Sequence, residues 1–235
     1  KGEAKLNRRH SLAALIAMGA AAGAAAKDRC EAFTPERQQA KTPEEALQRL
    51  KDGNVRFASG QALHCDLLEQ VRSTAQQQAP FCAILGCIDS RVPPELIFDQ
   101  NIGDMFVARV AGNIASPDII GSLEFATALA GAKLIVVLGH SECGAVKGAI
   151  DDAKLGSLTG VLQQIRPALG QLNYKGVPTS KDAALVQRAA EQNAKDAAAH
   201  LTSRSPTMAG LVREGKLQVV YATHDVAAGK IAWFG

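Results

Sequence analysis

The sequence predicts one α/β domain with a central, mainly parallel β-sheet flanked by helices. Three observations carry this. Short, largely apolar runs at 81–86, 105–110 and 133–138, interrupted only by Arg109 and opened in the third by Lys133, have the length and hydrophobicity of strands buried on both faces. Segments of helical pattern alternate with the runs, and that alternation favours parallel pairing. Two clusters of Cys, His, Asp and Arg follow directly on the ends of two runs. Open α/β sheets place their ligands at that edge.

The elements follow in order. Thr42-Pro43-Glu44-Glu45 starts a helix: Thr42 caps, Pro43 suits the first helical position and Glu45 completes a capping box. Ala46, Leu47 and Leu50 share one face, and Gly53-Asn54 marks an end or a kink. Run 81–86, bounded by Pro80 and Gly86, is a buried strand that ends at Cys87. Run 105–110 is a second. Ser116-Pro117-Asp118 opens a helix ending near Gly131, and 133–138 is a third buried strand leading to Gly139-His140. Residues 157–203 are helical in pattern, interrupted at Pro167 and by a Gly/Pro-containing loop at 170–179. Strands at 217–221 and 230–234 are separated by the turn Ala227-Ala228-Gly229. No internal repeat and no second domain is visible.

The 235 residues are 47% hydrophobic but only 4% aromatic, so Ala, Val, Leu and Ile must fill the core. The net charge of +3 comes partly from Lys1, Lys5, Arg8 and Arg9. No basic stripe with interleaved aromatics occurs, which argues against nucleic acid as a partner. Five cysteines at irregular spacing are not a disulfide framework. Cys82 sits in an apolar run and reads as a small buried hydrophobe; Cys30 and Cys65 are left open, paired or free.

Residues 1–26 read as an export or targeting segment, 27–41 as a linker and 42–235 as the domain. Adjacent Arg8 and Arg9 precede a short apolar run rich in Ala and Gly, a twin-arginine-like pattern. The run is too short for a stable membrane span. The segment suits a bacterial periplasm or a thylakoid lumen; a cytoplasmic or stromal protein with an Ala-rich N-terminal helix is the alternative.

The chemistry lies in Cys87-Ile88-Asp89-Ser90-Arg91 and His140-Ser141-Glu142-Cys143. Two thiolates and one imidazole are a borderline-soft set that suits Zn²⁺ and leaves a fourth position open. Asp89 and Arg91 put a carboxylate and a guanidinium beside it. Asp89 is the acceptor that would orient a metal-activated water, and Arg91 can hold it ionised through a bidentate contact. A closed structural zinc site, with a ligand such as His64 added, is the bland alternative. His224 reads as a structural histidine at a strand end.

These motifs, with Val92-Pro93-Pro94-Glu95, the stretch from Gly103-Asp104 to Gly112-Asn113, and Gly139 and Gly144 around the second motif, resemble the β-class carbonic anhydrases. The resemblance runs from about Pro43 to the C-terminus. It implies zinc-dependent, reversible hydration of CO₂ to bicarbonate and a proton, with one Zn²⁺ per chain on Cys87, His140 and Cys143. Attack by zinc-bound hydroxide would be oriented by the Asp89–Arg91 dyad. Asp89 would be a fourth zinc ligand only in a closed, inactive state. Relatives with bicarbonate-regulated closure carry Trp where this chain has Ile84, which points to the open type; Arg109 matches a residue of that regulatory pocket. Gln78, Phe106, Ala111, Phe125 and Gly144 match the substrate pocket, Gln78 reaching the neighbouring subunit's site. The family implies a homodimer, possibly a dimer of dimers, with N-terminal helices packed on a partner subunit. A scaffold or bicarbonate sensor, and a hydrolase of CS₂ or COS, would share the same ligand set.

Overall fold

Strands β1 (Cys82–Gly86), β2 (Met105–Arg109), β3 (Leu134–His140), β4 (Gln218–His224) and β5 (Ile231–Phe234) form one sheet in the order β2-β1-β3-β4-β5. The computed structural model describes residues 29–234, so the export-like segment at 1–26 lies outside the described residues. The first four strands pair in parallel and β5 pairs antiparallel to β4.

Alternation along the central strands builds a core on each face of the sheet. Ile84, Leu134, Val136 and Leu138 pack with Ala46 and Leu50 of helix α2 (Pro43–Ala58) on one face. Ala83, Leu85, Ile135 and Val137 pack with Ala194, Ala197 and Leu201 of α8 (Ala183–Arg204) on the other. The many alanines of α8 let it lie close to β3 and β4.

The capping box forms as the sequence implies: Glu45 N–H donates to Thr42 Oγ1 at 3.2 Å and Thr42 N–H to Glu45 Oε2 at 3.0 Å. Of the end or kink expected at Gly53-Asn54, the end does not occur: α2 runs on to Ala58. Gly53 is instead a point of close approach. A Cβ there would meet the main chain of Phe98, just past α4 (Pro94–Ile97), and Gln100 Nε2 at 2.8 Å. Asn54 is buried beside it and ties three segments together. Its Nδ2 donates to the carbonyls of Ile97 and Gly229, and its Oδ1 accepts from Ile231 N–H.

Three more expectations need correcting. Residues 29–41, expected to be a linker, contain helix α1 (Pro35–Gln39) and are docked on the body. Phe33 packs on Phe81, buried Gln38 donates to the carbonyls of Pro80 and Ala130, and Cys30 is disulfide-bonded to Cys65 ahead of α3 (Leu67–Thr74). Strand β2 is half-buried along its length, because it is the sheet edge. Pro167 does not interrupt its helix: α7 spans Leu158–Gly170. Gln163, whose carbonyl loses the i+4 donor, lies on the exposed face where water replaces it.

The expected helix after Ser116 is α5 (Pro117–Glu124), continued by a π-helical turn at Phe125–Leu129. Two short helices complete the set, α6 (Gly144–Ile150) and α9 (Pro206–Arg213). No described helix is long and apolar enough to cross a membrane.

Candidate metal centre

β1 and β3 are adjacent and parallel, with Gly86 opposite Leu138, so Cys87 and His140 emerge side by side at the C-terminal edge. Cys143 follows one turn later as the N-cap of α6. The three residues bring one ligand atom each to within 4.8 Å of one another, and all three are buried. Zinc with sulfur ligands at ~2.3 Å in a tetrahedron needs sulfurs roughly 3.8 Å apart, so a small contraction would close the set. His140 is already oriented. Its Nδ1 lies 2.8 Å from the Ser141 carbonyl, which fixes the proton there. Its Nε2 is buried without a partner. An orphaned nitrogen beside two buried thiols is the donor set a metal cation would satisfy.

The thiols are tuned against each other. Cys87 is pulled well below the ordinary thiol range, chiefly because Cys143 donates to it, with His140 and the N–H groups of Gly112 and Asp89 adding to the effect against burial. Cys143 is pushed far up by that same hydrogen bond and by burial. A metal takes both sulfurs as thiolates, so a cation entering the site displaces the thiol protons.

Asp89 and Arg91 stand beside this cluster. Arg91 Nε donates to Asp89 Oδ1 at 2.9 Å, Nη2 to Oδ2 at 2.7 Å, and the Arg91 N–H to Oδ1 at 3.0 Å. That grip holds the Asp89 carboxyl well below the usual carboxylate range. Asp89 is not part of the three-ligand group. Arg91 also reaches the Glu142 carbonyl at 3.3 Å, linking the two motif loops.

Arg109, at the end of β2, donates from Nε to the Cys87 carbonyl at 2.7 Å and from Nη2 to the Asp89 carbonyl at 2.5 Å. It holds the loop that carries both residues. Gly112 N–H donates to Cys87 Sγ at 3.3 Å, and Asn193 Nδ2 on α8 donates to the Gly112 carbonyl at 2.7 Å. The sequence reading missed Asn193. Its one signal is position: it falls on the apolar stripe of Leu185, Val186, Ala189, Ala190, Ala194 and Ala197. His224 lies opposite His140 in the sheet, and neither of its ring nitrogens has a partner. It is not in the ligand group, and burial pushes it down to about 4.

The residues matched to a pocket are spread out. Ala111 adjoins Gly112 just past β2, and Gly144 faces open space at the start of α6. Phe106 and Phe125 meet edge to face, centroids 6.0 Å apart, in a groove along the free edge of β2. Gln78 is exposed ahead of β1, at the opposite end of that strand from Cys87. Within one chain it does not join the cluster.

A mainly parallel sheet bearing a buried Cys-His-Cys set and an Asp–Arg pair at its C-terminal edge is the arrangement of an α/β protein with a site that could hold a metal ion. Residues 82–231 match the family model described as "Carbonic anhydrase". A carbonic anhydrase of Mycolicibacterium smegmatis is 35% identical over 195 residues, covering 80% of this chain and 92% of the relative. Carbonic anhydrase 2 of Mycobacterium tuberculosis is 34% identical over 194 residues, with 80% and 91% covered. Among solved structures, the Coccomyxa β-carbonic anhydrase in complex with acetazolamide has a TM-score of 0.65 at 25% identity, covering 80% of this chain and 86% of its own. One of two tetrameric β-carbonic anhydrases from Sordaria macrospora gives a TM-score of 0.60 at 28% identity, covering 71% and 90%. The chain belongs to the β-class carbonic anhydrase family and is a carbonic anhydrase enzyme.

Proposed function

We propose that the chain hydrates CO₂ reversibly to bicarbonate and a proton on one Zn²⁺ held by Cys87, His140 and Cys143. One observation carries the reading: three buried ligand atoms within 4.8 Å, the His140 Nε2 orphaned, beside a carboxylate held on both oxygens by Arg91. Zinc bound there supplies a Lewis acid that lowers the pKa of a coordinated water toward neutrality. Asp89 is the acceptor for the O–H of the attacking water, and Arg91 keeps Asp89 ionised and aimed. Because Arg91 occupies both Asp89 oxygens, the resting site is of the open type, in keeping with Ile84 in place of the Trp of regulated relatives.

A second copy completes the pocket. The support is the free β2 edge with its Phe106–Phe125 groove, and Gln78 exposed at the far end of β1. In a homodimer, and in a dimer of dimers built from it, Gln78 serves the partner's site and the N-terminal helices pack across the interface. Ala111 and Gly144 line the pocket on the zinc side. Export is our reading for location, supported by the Arg8-Arg9 pattern and the Cys30–Cys65 disulfide, a bond that persists in oxidising compartments.

The test is stopped-flow CO₂ hydration from neutral to alkaline pH, with zinc measured on the same sample. Fast hydration at neutral pH with stoichiometric zinc is expected. Activity confined to alkaline pH would mean that Asp89 closes the site, and stoichiometric zinc without hydration would overturn the reading.

A further inference from the structure

We infer that Asn193 is a positioning residue for the metal centre: from the middle of α8 it holds the Gly112 backbone so that an N–H points at the Cys87 sulfur. The inference rests on the zinc reading above.

Asn193 is 4% exposed in a helix face otherwise made of Leu, Val and Ala. A buried amide is costly unless it is hydrogen-bonded, and Asn is a mediocre helix former. Alanine, which fills the neighbouring positions, would be the default there. The amide has one evident task in this structure, the 2.7 Å bond from Nδ2 to the Gly112 carbonyl. The residue it holds needs holding. Gly112 has φ 71° and ψ 22°, a left-handed conformation that glycine enters and leaves with little resistance. Its two polar groups lie on either side of that mobile Cα. The N–H reaches Cys87 Sγ and the carbonyl reaches Asn193. Fixing the carbonyl anchors one of the two peptide planes that meet at this Cα, and so narrows the swing of the N–H. Ile165 and Ala145 close the remaining side, where a Cβ on Gly112 would collide with Ile165.

A backbone N–H on a thiolate draws charge from the sulfur and sets its orientation before a cation arrives. Such outer partners typically carry 10–100-fold in metal affinity. Asn193 is thus separated from Cys87 by 106 positions in sequence but by one glycine in space.

The test uses Asn193→Leu, which roughly keeps the volume but has no donor, and Asn193→Ala. Zinc affinity is measured by chelator competition, and the cobalt(II)-substituted proteins are compared by their thiolate-to-metal charge-transfer absorption. Both variants should hold zinc about 10–100-fold more weakly, and the band should move to lower energy as the sulfur loses its hydrogen bond. Unchanged affinity and spectrum in either folded variant would overturn the inference. Weaker zinc with an unmoved band would also overturn it, because that is what loss of packing alone produces. The wild-type protein gives an independent readout that needs no variant to fold: with an NMR-active cadmium isotope in the site, the Gly112 amide proton should show scalar coupling to the metal through the sulfur. A missing coupling in metal-loaded protein refutes the relay. Failure of the wild type to take up zinc, cobalt or cadmium would refute the zinc reading itself.

Discussion

Gly53→Ala separates what a helix wants from what the fold requires. In an exposed helix interior, replacing Gly by Ala gains about 1 kcal/mol. Gly160, in the first turn of α7, is exposed with nothing near a Cβ, and Gly160→Ala should stabilise by up to about 1 kcal/mol. Gly53 lies in the same kind of secondary structure, yet its Cβ would fall far inside contact distance of the Phe98 carbonyl oxygen. It would also lie 2.8 Å from both the Phe98 carbonyl carbon and Gln100 Nε2. Phe98 is fully buried against Trp233 and cannot yield, so α2 must lift. Overpacking of this kind costs about 1–3 kcal/mol. Lifting α2 also pulls buried Asn54 away from the Ile97 carbonyl and Arg56 away from Asp99, and one buried polar group left unsatisfied adds about 1–3 kcal/mol. Set against the propensity gain, the net expectation is a loss of about 1–5 kcal/mol, or a melting point lower by roughly 2–20 °C. Denaturant titration with the slope checked for constancy reads the same quantity. A Gly53→Ala protein as stable as the wild type would refute the argument that tertiary approach, not helix propensity, selects the glycine.

Three further outcomes are expected. Asp89→Asn should retain zinc, since Asp89 is outside the ligand group, while hydration falls by about 10²-fold or more; wild-type turnover would remove Asp89 from the mechanism. Replacing Cys30 and Cys65 together by serine opens a loop with a sequence separation of 35 and should cost about 3–4 kcal/mol by chain entropy; an unchanged melting curve would mean the arm is held by Phe33, Gln38 and the bond from Asn101 Nδ2 to the Arg29 carbonyl alone. His224 is neutral and buried, its pKa depressed from 6.5 to about 4, first by burial and then by His140. The unfolded chain takes up that proton before the folded one does. Its contribution is therefore intact above 6.5 and is lost as pH falls toward 4, by up to about 3 kcal/mol. His224→Gln should flatten the stability–pH curve in that window, and identical curves for the two proteins would discount the effect.

Some elements were legible because a local rule was sufficient. Thr42, Pro43 and Glu45 specify a helix start with no help from elsewhere, and 81–86 and 133–138 are apolar on both faces because helices cover both sides of β1 and β3. The misread places are those where a distant segment decides. Gly53-Asn54 carries a stop signal in the chain, but Phe98, Ile97 and Gly229 turn it into a contact. β2 has the same apolar run as β1 and β3, and only its place at the sheet edge leaves it half-exposed. The charge and irregularity of 27–41 suggest a linker, because the partners that dock the described part, 29–41, are Pro80, Phe81, Cys65 and Asn101, each remote in sequence.

The site divides along a different line. On the proposed reading Cys87, His140, Cys143, Asp89 and Arg91 would act through their own side-chain atoms, so the reaction would constrain which residue types can stand there, and the sequence displays them. Arg109 and Asn193 act on backbone carbonyls, and a carbonyl is the same at every position. Any side chain with a donor of the right reach can serve it, so neither residue has a type-specific signature. Gly112 lies between the two kinds: its left-handed φ favours glycine, but the chain cannot say that its N–H is spent on a sulfur. The proposed direct participants are thus readable from residue type and spacing, whereas the bonds by which Arg109 and Asn193 hold them appear only when the sheet brings β1, the turn after β2 and α8 to one edge. Variants at Arg109 and Asn193 should therefore disturb metal retention more than their distance in sequence from Cys87 suggests.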